Sequence, residues 1–257
     1  MADIELVIED RVAVVTLNRP AERNAMTLAM WRDVARIFNE LGRNSEVRAV
    51  ILTGAGGNFS VGADVAEFAK VRATSEQSTE YEIAVDASSD AIMAAAKPVI
   101  AVLEGYCLGG GCHLSMSCDF RFAHSQALIG IPAAKLSIVY GIRGTQRLLS
   151  LVGLTNAKRM LFAAEQIGAE EAMKIGFADR TSDNPMLEAK SFAASIATLA
   201  PLSVAGAKLI LNGLSMGGGA LDERAAQALI DRASDSEDYR EGRRAFAEKR
   251  PPVFKGR

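Results

Sequence analysis

Three successive glycines, at positions 109–111, form the stretch of this sequence best suited to ligand chemistry. They follow an apolar run of strand length at 98–103 and precede a segment, 112–117, that can form a helix. A strand, a glycine loop and a helix start leave backbone N–H groups free, and glycine lets the backbone approach a ligand without a Cβ in the way. Such a loop could cradle a phosphate, although Cys112 and His113 stand where a P-loop has its lysine and its Ser or Thr. An oxyanion hole for a carbonyl fits equally well, and a plain tight turn is the third possibility.

A second glycine-rich corner lies earlier in the chain. Residues 47–53 predict a strand, which runs into the sequence GAGGNFSVGAD at 54–64 and a helix start at 64–70. The chain therefore has two strand–glycine–helix corners, one around Ala63 and one around Gly110. Two such corners could each supply one N–H group to a single carbonyl oxygen.

Helices and strands alternate around these two corners. Residues 12–17 predict a strand, and Thr27 is the predicted N-cap of a helix that reaches residue 41 with an apolar face. The polar segment 71–80 is predicted to be mobile, and a helix from about 80 to 96 leads back to the apolar run before the glycine triplet.

The C-terminal part of the sequence has a different pattern. From residue 184 onward it is helical, with breaks at Pro201, at glycines 217–219 and near Ser234. Alternating strands and helices followed by helices alone predict an α/β core with a helical C-terminal part.

Composition and charge argue against several classes of protein. The formal net charge of −2 and the pI near 5.8 argue against nucleic acid or an anionic membrane as the main partner. The first ten residues carry four acids, which is wrong for a signal or transit peptide, and no apolar run reaches transmembrane length. The cysteines number three, and their spacing suits neither a disulfide framework nor a zinc site. We therefore expect a cytoplasmic, reduced protein without a bound metal.

Several segments together resemble the crotonase (enoyl-CoA hydratase/isomerase) superfamily. In the family's order they are NRPAERNAMT at 18–27, VILTG at 50–54, FSVGAD at 59–64, KPVIAVLEGYCLGGG at 97–111, CD at 118–119, GTQRL at 144–148 and EDYREGRRAFAEKR at 237–250. The resemblance implies an α/β fold with a crotonase-like spiral of β-β-α turns over residues 1–195 and a C-terminal helical trimerisation region over 196–257. It also implies a homotrimer or dimer of trimers that acts on an acyl-CoA thioester, with coenzyme A as part of the substrate and no further cofactor.

The resemblance also assigns site residues. By position, the N–H groups of Ala63 and Gly110 would form the oxyanion hole, which favours that interpretation of the glycine loop. The residues implied to contact the CoA ester are Asn24, Ala25, Ala63, Asp64, Gly109 and Gly110. Two backbone donors, the second helped by a helix dipole, would stabilise the negative charge that gathers on the oxygen of a thioester enolate.

The sequence departs from the family where the acid–base chemistry is done. Hydratases of the family use two glutamates to position and split a water molecule, and here His113 and Ala133 occupy those positions. Removing such a proton shuttle normally lowers the rate by orders of magnitude, which argues against orthodox hydration. Isomerases of the family commonly keep the second glutamate, so its replacement by Ala133 also argues against ordinary double-bond migration. Histidine titrates near neutrality, so His113 is a candidate acid or base; the alternative is that it only fills the space of the lost glutamate.

A third departure is Tyr140, which stands where some decarboxylating members of the superfamily, those acting on methylmalonyl-type CoA esters, also carry a tyrosine. Arg143 would then recognise a substrate carboxylate, unless Tyr140 only packs and Arg143 faces solvent. We expect an acyl-CoA enzyme that acts through a thioester enolate or oxyanion, with Ala63, Gly110, His113 and Tyr140 as its catalytic positions. The alternatives are an enoyl-CoA hydratase, a (methyl)malonyl-CoA-type decarboxylase and a non-catalytic acyl-CoA-binding protein.

Overall fold

A computed structural model describes residues 2–217 and 219–257 of the chain. Position 1, the predicted start of the core, and position 218, the middle of the predicted glycine break, lie outside the described residues. The strands in the described part are β1 (Ile4–Glu9), β2 (Val12–Leu17), β3 (Ala49–Gly54), β4 (Val99–Leu103), β5 (Tyr106–Leu108), β6 (Phe120–His124), β7 (Leu128–Gly130), β8 (Gln166–Gly168) and β9 (Arg180–Ser182).

The main sheet has six strands in the order β1-β2-β3-β4-β6-β9. Strands β1 and β2 are antiparallel, and every other neighbouring pair is parallel. Parallel strands are normally covered on both faces, which agrees with the complete burial of β3 and β4. Because β3 and β4 run in the same direction, the chain leaves both of them at the same edge of the sheet.

The two segments that follow β3 and β4 are joined to each other at that edge. The N–H of Ser60 donates to the carbonyl of Tyr106, and the N–H of Leu108 donates to the carbonyl of Ser60, both at 2.9 Å. A smaller sheet of β5, β7 and β8 extends from this junction. The two glycine-rich corners are therefore fixed to each other by backbone hydrogen bonds.

The helices lie on both sides of these sheets and at the C-terminus. They are α1 (Leu28–Arg43), α2 (Phe68–Val71), α3 (Ser75–Ala94), α4 (Gly110–Ser115), α5 (Ile142–Phe162), α6 (Ala169–Lys174), α7 (Pro185–Ala197), α8 (Pro201–Ser215), α9 (Glu223–Asp235) and α10 (Glu237–Glu248). This arrangement confirms the α/β class predicted from the sequence.

Helix α1 begins where the sequence predicts. The hydroxyl of Thr27 accepts a hydrogen bond from the N–H of Met30 at 3.2 Å, as an N-cap does. Its predicted apolar face is buried in the core, namely Met30, Val34, Ile37, Phe38 and Leu41. The helix packs against α3, where the indole N–H of Trp31 donates to the hydroxyl of Tyr81 at 2.8 Å.

Helix α3 begins earlier than the sequence prediction, which placed its start near residue 80. The structure places residues 75–80 inside the helix, so that boundary was wrong. The cause is local capping: the Thr74 hydroxyl accepts from the N–H of Gln77 at 3.2 Å, and the Gln77 side chain accepts from the N–H of Ala73 at 2.9 Å. This reciprocal cap starts a helix in a polar segment that lacks an apolar periodicity.

The first helix of the C-terminal part, α7, begins at Pro185, next to the predicted start at residue 184. Helix α8 begins at the predicted break at Pro201, and α9 and α10 are separated at Ser236, close to the break predicted near Ser234. The predicted boundary after residue 195 falls inside α7, whose Ala189 and Ala193 pack against the main sheet. The division into two regions and the trimerisation role of the second stay predictions. In the described residues, no helix alone is long and apolar enough to cross a bilayer, whereas the bent pair α7 and α8 together meets that test by length and composition only.

Candidate active site

A pocket beyond the carboxyl ends of β3 and β4 contains all four predicted catalytic positions. It holds about 760 Å³ of empty space, its open mouth included. Much of its wall is apolar, with Trp31, Phe68, Tyr81, Val85, Ile138 and Val139 among the lining residues. Ala63, Gly109, Gly110, His113 and Tyr140 also line it, together with Ala133.

The nitrogen atoms of Ala63 and Gly110 lie at the same end of this pocket. A β-carbon placed on Gly110 would stand 3.3 Å from the Ala63 nitrogen, and one placed on Gly62 would stand 2.7 Å from the Gly110 nitrogen. Within the described residues, neither N–H group donates a hydrogen bond to a backbone or side-chain acceptor. Two free donors this close together can bind one oxygen atom and stabilise negative charge on it.

Local backbone geometry explains why both donors are free. Gly62 adopts φ +93°, a conformation that side chains rarely tolerate, and the parallel bridge beside it uses the Gly62 carbonyl and the Asp64 N–H rather than the Ala63 N–H. Gly110 is the first residue of α4, so its N–H has no carbonyl partner within the helix. Gly110 also has no room for a side chain, because a β-carbon would lie 2.9 Å from the Trp31 ring.

Three residues implied by the resemblance to contact CoA do not line the pocket, and they hold the first corner together instead. The Asn24 side chain donates to the carbonyls of Ala55 and Asn58 at 2.9 and 2.7 Å, and it is fully buried. The carboxylate of Asp64 pairs with Arg19 at 2.9 Å, and the same guanidinium donates to the carbonyl of Ala25 at 2.6 Å. Contact of Asn24, Ala25 and Asp64 with a ligand stays a prediction.

His113 lies on α4 with only 4% of its surface exposed. Burial, with a smaller contribution from the charge of Arg147, lowers the pKa of His113 from 6.5 to about 3. Its Nε2 is buried without a hydrogen-bond partner among the described residues and lies 3.9 Å from the Asp86 carboxylate. His113 is therefore neutral near pH 7, which makes it a weak general base.

Burial of His113 predicts a pH dependence of folding. Between pH 6.5 and about 3 the unfolded chain binds a proton at this histidine that the folded chain does not. The contribution of His113 to the free energy of unfolding is therefore complete above pH 6.5 and is lost as the pH falls toward 3. The loss from this one group is at most about 1.4 kcal/mol per pH unit. We expect His113→Gln, which cannot take up the proton, to lose less unfolding free energy between pH 7 and pH 4.5 than the parent chain. Urea unfolding at both pH values measures this, and equal losses in the two chains would contradict it.

Tyr140 lies beside His113 at the pocket wall. The two rings meet edge to face with centroids 6.0 Å apart, and the Tyr140 hydroxyl lies 3.4 Å from the carbonyl of Gly109. Burial raises the pKa of Tyr140 well above 10, so the phenol stays protonated and can donate. Both rings approach Gly144 of α5, where a β-carbon would lie 2.6 Å from Tyr140 and 2.7 Å from His113.

This contact gives a prediction for Gly144. We expect Gly144→Ala to displace one or both rings and to lower stability by about 1–3 kcal/mol, the usual cost of overpacking. Gly141→Ala is the matched control, because a β-carbon there meets its nearest atom only at 3.6 Å. Thermal unfolding of both variants measures the difference, and equal melting temperatures for them would show that the rings are not constrained in this way.

The structure places Arg143 outside the pocket. Its side chain is about half exposed, pairs with Asp90 and lies 3.5 Å from Asp86. Among the described residues, the arginine that lines the pocket is Arg72, after α2, and its guanidinium lies over the rings of Phe68 and Tyr81.

Sequence reasoning missed Glu82 of α3, a pocket-lining carboxylate. It pairs with Arg72 at 2.9 Å, and its other oxygen faces Gly141, where a β-carbon would stand 3.6 Å from it. Burial, with a smaller contribution from Asp86, raises the pKa of Glu82 above 4.5 despite the opposing effect of Arg72. No motif marks Glu82, because it belongs to a helix that the tertiary fold brings to the pocket.

Comparison with known proteins agrees with this architecture. The profile described as enoyl-CoA hydratase/isomerase matches residues 7–257. A short-chain-enoyl-CoA hydratase of Clostridium acetobutylicum is 37% identical, covering 94% of this chain and 93% of that protein.

Solved structures match the fold over the full length. A crystal structure of an enoyl-CoA hydratase/carnithine racemase from Magnetospirillum magneticum superposes with a TM-score of 0.93 at 34% identity, covering 100% of this chain and 97% of that one. An enoyl-CoA hydratase from Bacillus anthracis gives a TM-score of 0.88 at 32% identity, covering 100% of both chains. The resemblance read from the motifs is therefore confirmed, and the fold is the crotonase fold. The chain belongs to the enoyl-CoA hydratase/isomerase family, whose members process acyl-CoA substrates.

Proposed function

We propose that this protein binds an acyl-CoA thioester with the carbonyl oxygen between the N–H groups of Ala63 and Gly110 and promotes proton transfer through the enolate. The observation that carries the proposal is the pair of free backbone donors at one end of an apolar pocket. The oxygen gains negative charge as the enolate forms, so the donors stabilise the transition state more than the bound thioester. The apolar wall, including Phe68, Val85 and Ile138, would receive the acyl chain.

Glu82 is the proposed proton acceptor. The carboxylate takes the α-proton of the thioester, the C–H electron pair moves into the carbonyl, and the resulting enolate is held by the two N–H groups. Return of the proton at the γ-carbon of an unsaturated chain would shift the double bond without consuming water. The raised pKa of Glu82 favours this role, because it brings the carboxylate closer to the working pH.

The pocket is less well suited to the other reactions considered. Addition of water with two carboxylates would need a second acid, and Glu82 alone among the lining residues carries one in the part of the chain that the structure describes. For decarboxylation, the arginine predicted to recognise the substrate carboxylate, Arg143, lies outside the pocket, and Arg72 is paired with Glu82. These observations favour a single-carboxylate isomerisation.

The test is solvent exchange followed by product analysis. We expect deuterium to enter the α-position of butyryl-CoA in D₂O, and a 3-enoyl-CoA to be converted into the conjugated 2-enoyl-CoA. Tight binding of both esters with no exchange would contradict the enzyme proposal and indicate an acyl-CoA-binding protein. Hydration of crotonyl-CoA as the dominant reaction would contradict the isomerase assignment.

We further propose that the chain assembles as a homotrimer or a dimer of trimers through its C-terminal helices. Large apolar side chains on these helices are exposed in the single chain, among them Leu211, Leu214 and Phe246. Such side chains in contiguous patches are usually covered by a partner. Light scattering coupled to gel filtration measures the mass directly, and a monomeric mass would contradict this proposal.

A further inference from the structure

A second pocket lies at the opposite edge of the main sheet, at the amino ends of β3 and β4. It holds about 840 Å³ of empty space, its opening included. Arg48 immediately precedes β3, and Lys97 and Pro98 precede β4. Strands of this length span about 20 Å, so this pocket is separate from the candidate active site at their carboxyl ends.

The charged side chains that line this second pocket are all positive. Its wall includes five cationic side chains from separate segments: Arg43 at the end of α1, Arg48, Lys97, Arg232 of α9 and Lys255 of the C-terminal tail. In the described part of the chain, none of its lining residues is Asp or Glu. Across residues 2–217 and 219–257, no Asp or Glu side chain forms a salt bridge with any of these five cations.

Two of these cationic side chains, Arg48 and Lys97, are partly buried. The Nε of Arg48 is buried without a hydrogen-bond partner in residues 2–217 and 219–257. Burial, together with the charge of Arg48, lowers the pKa of Lys97, whose ammonium donates to the carbonyl of Gly42 at 2.6 Å. Buried donors without acceptors and like charges held together are both unfavourable, and an anion would relieve both.

Helix α8 adds a further positive potential. Pro201 and Leu202, its first residues, line the pocket, and no side chain caps this N-terminus. The helix has 15 residues, so the partial positive charge of its dipole adds to that of the side chains. The C-terminal tail also lies at this pocket, since a β-carbon on Gly256 would lie 3.0 Å from the Arg48 guanidinium.

We propose that this pocket binds a small anion with a diphosphate group, separately from the acyl-CoA pocket. Guanidinium groups bind phosphate oxygens in a bidentate manner, and two linked phosphates match a cluster of several cations better than a single carboxylate does. The site combines α1, the main sheet, α8, α9 and the tail, so its ligand would stabilise the contact between the core and the C-terminal helices.

Inorganic pyrophosphate is the probe, tested by calorimetry on the full chain without any CoA ester, because coenzyme A carries a diphosphate of its own and would compete for the second pocket. We expect saturable binding that weakens at least tenfold in the Arg232→Gln/Lys255→Gln double variant. Both side chains are exposed, so we expect this variant to fold like the parent chain. Arg48→Gln should weaken it similarly. The control Lys158→Gln/Lys174→Gln removes two exposed charges outside the pocket and should leave the affinity unchanged.

Three results would overturn the proposal. One is a response no larger than that produced by sodium chloride at equal ionic strength. Another is equal weakening in the control variant, which would indicate a diffuse charge effect. The third is unchanged affinity in both the Arg232→Gln/Lys255→Gln and the Arg48→Gln variants, which would place the anion at another site.

Discussion

Ala63→Pro should lower the rate of α-proton exchange by about two to three orders of magnitude, the usual effect of removing one oxyanion donor. Proline has no N–H, so the substitution deletes one of the two proposed donors. The alanine and proline side chains are both apolar, so the polarity of the side chain does not change. The local bridge to Met26 uses the Gly62 carbonyl and the Asp64 N–H, and neither bond depends on the Ala63 N–H. The expected loss is therefore one of transition-state stabilisation and not of a structural hydrogen bond.

The matched control for this experiment is Ala63→Gly, which keeps the N–H group and should retain most of the rate. Circular dichroism and the affinity for butyryl-CoA show whether the proline variant is folded and still binds. A folded proline variant with the parent rate would show that the Ala63 N–H does not bind the reacting oxygen. Loss of rate in the glycine variant as well would show that the methyl group, and not the donor, matters.

Glu82→Gln should lower proton exchange by about two to four orders of magnitude, as loss of a general base does. The substitution keeps the size of the side chain and removes its charge. Because burial raises the pKa of Glu82, the folded surroundings favour its ionised form less than water does. We therefore expect the melting temperature of Glu82→Gln to stay close to that of the parent chain, even though the pair with Arg72 is lost.

The pH dependence gives this second prediction a readout that a structural role would not affect. In the parent chain the exchange rate should fall as the pH decreases through the raised pKa of Glu82, because the base must be ionised. That acid limb should be absent from the residual activity of Glu82→Gln. Glu80→Gln, on the exposed side of the same helix, is the control and should behave like the parent. An unchanged acid limb in Glu82→Gln would assign the base to another group.

His113 shows how far the sequence alone leads at a single position. Its place two residues after the glycine triplet predicts that it lies near the site, and it is among the residues that line the pocket, since both belong to one short turn and helix. Its use as a base depends on its pKa, which is set by surroundings from α3 and α5 that no local pattern encodes. Burial against these elements keeps the imidazole neutral, so His113 is better suited to shaping the pocket than to accepting a proton.

Glu82 shows the opposite case. The sequence from 71 to 80 predicted a mobile segment, and the cap formed by Thr74 and Gln77 instead starts α3 there. This longer helix packs against α1 and carries Glu82 to the pocket wall beside Arg72. Helix-forming polar segments without apolar periodicity are hard to predict, because their stability comes from caps and tertiary packing rather than from an amphipathic pattern.

The sequence by itself determined the local features: the cap at Thr27, the buried parallel strands, and the two glycine corners with their free N–H groups. These features depend on residues a few positions apart, and the order of the motifs along the chain was enough to indicate the family. Only the tertiary structure decided that the Ala63 and Gly110 nitrogens lie together, that Glu82 lines the same pocket, and that five cations share a second pocket. Those juxtapositions arise between residues far apart in the chain, and packing of the whole core fixes the distances and burial on which their chemistry depends.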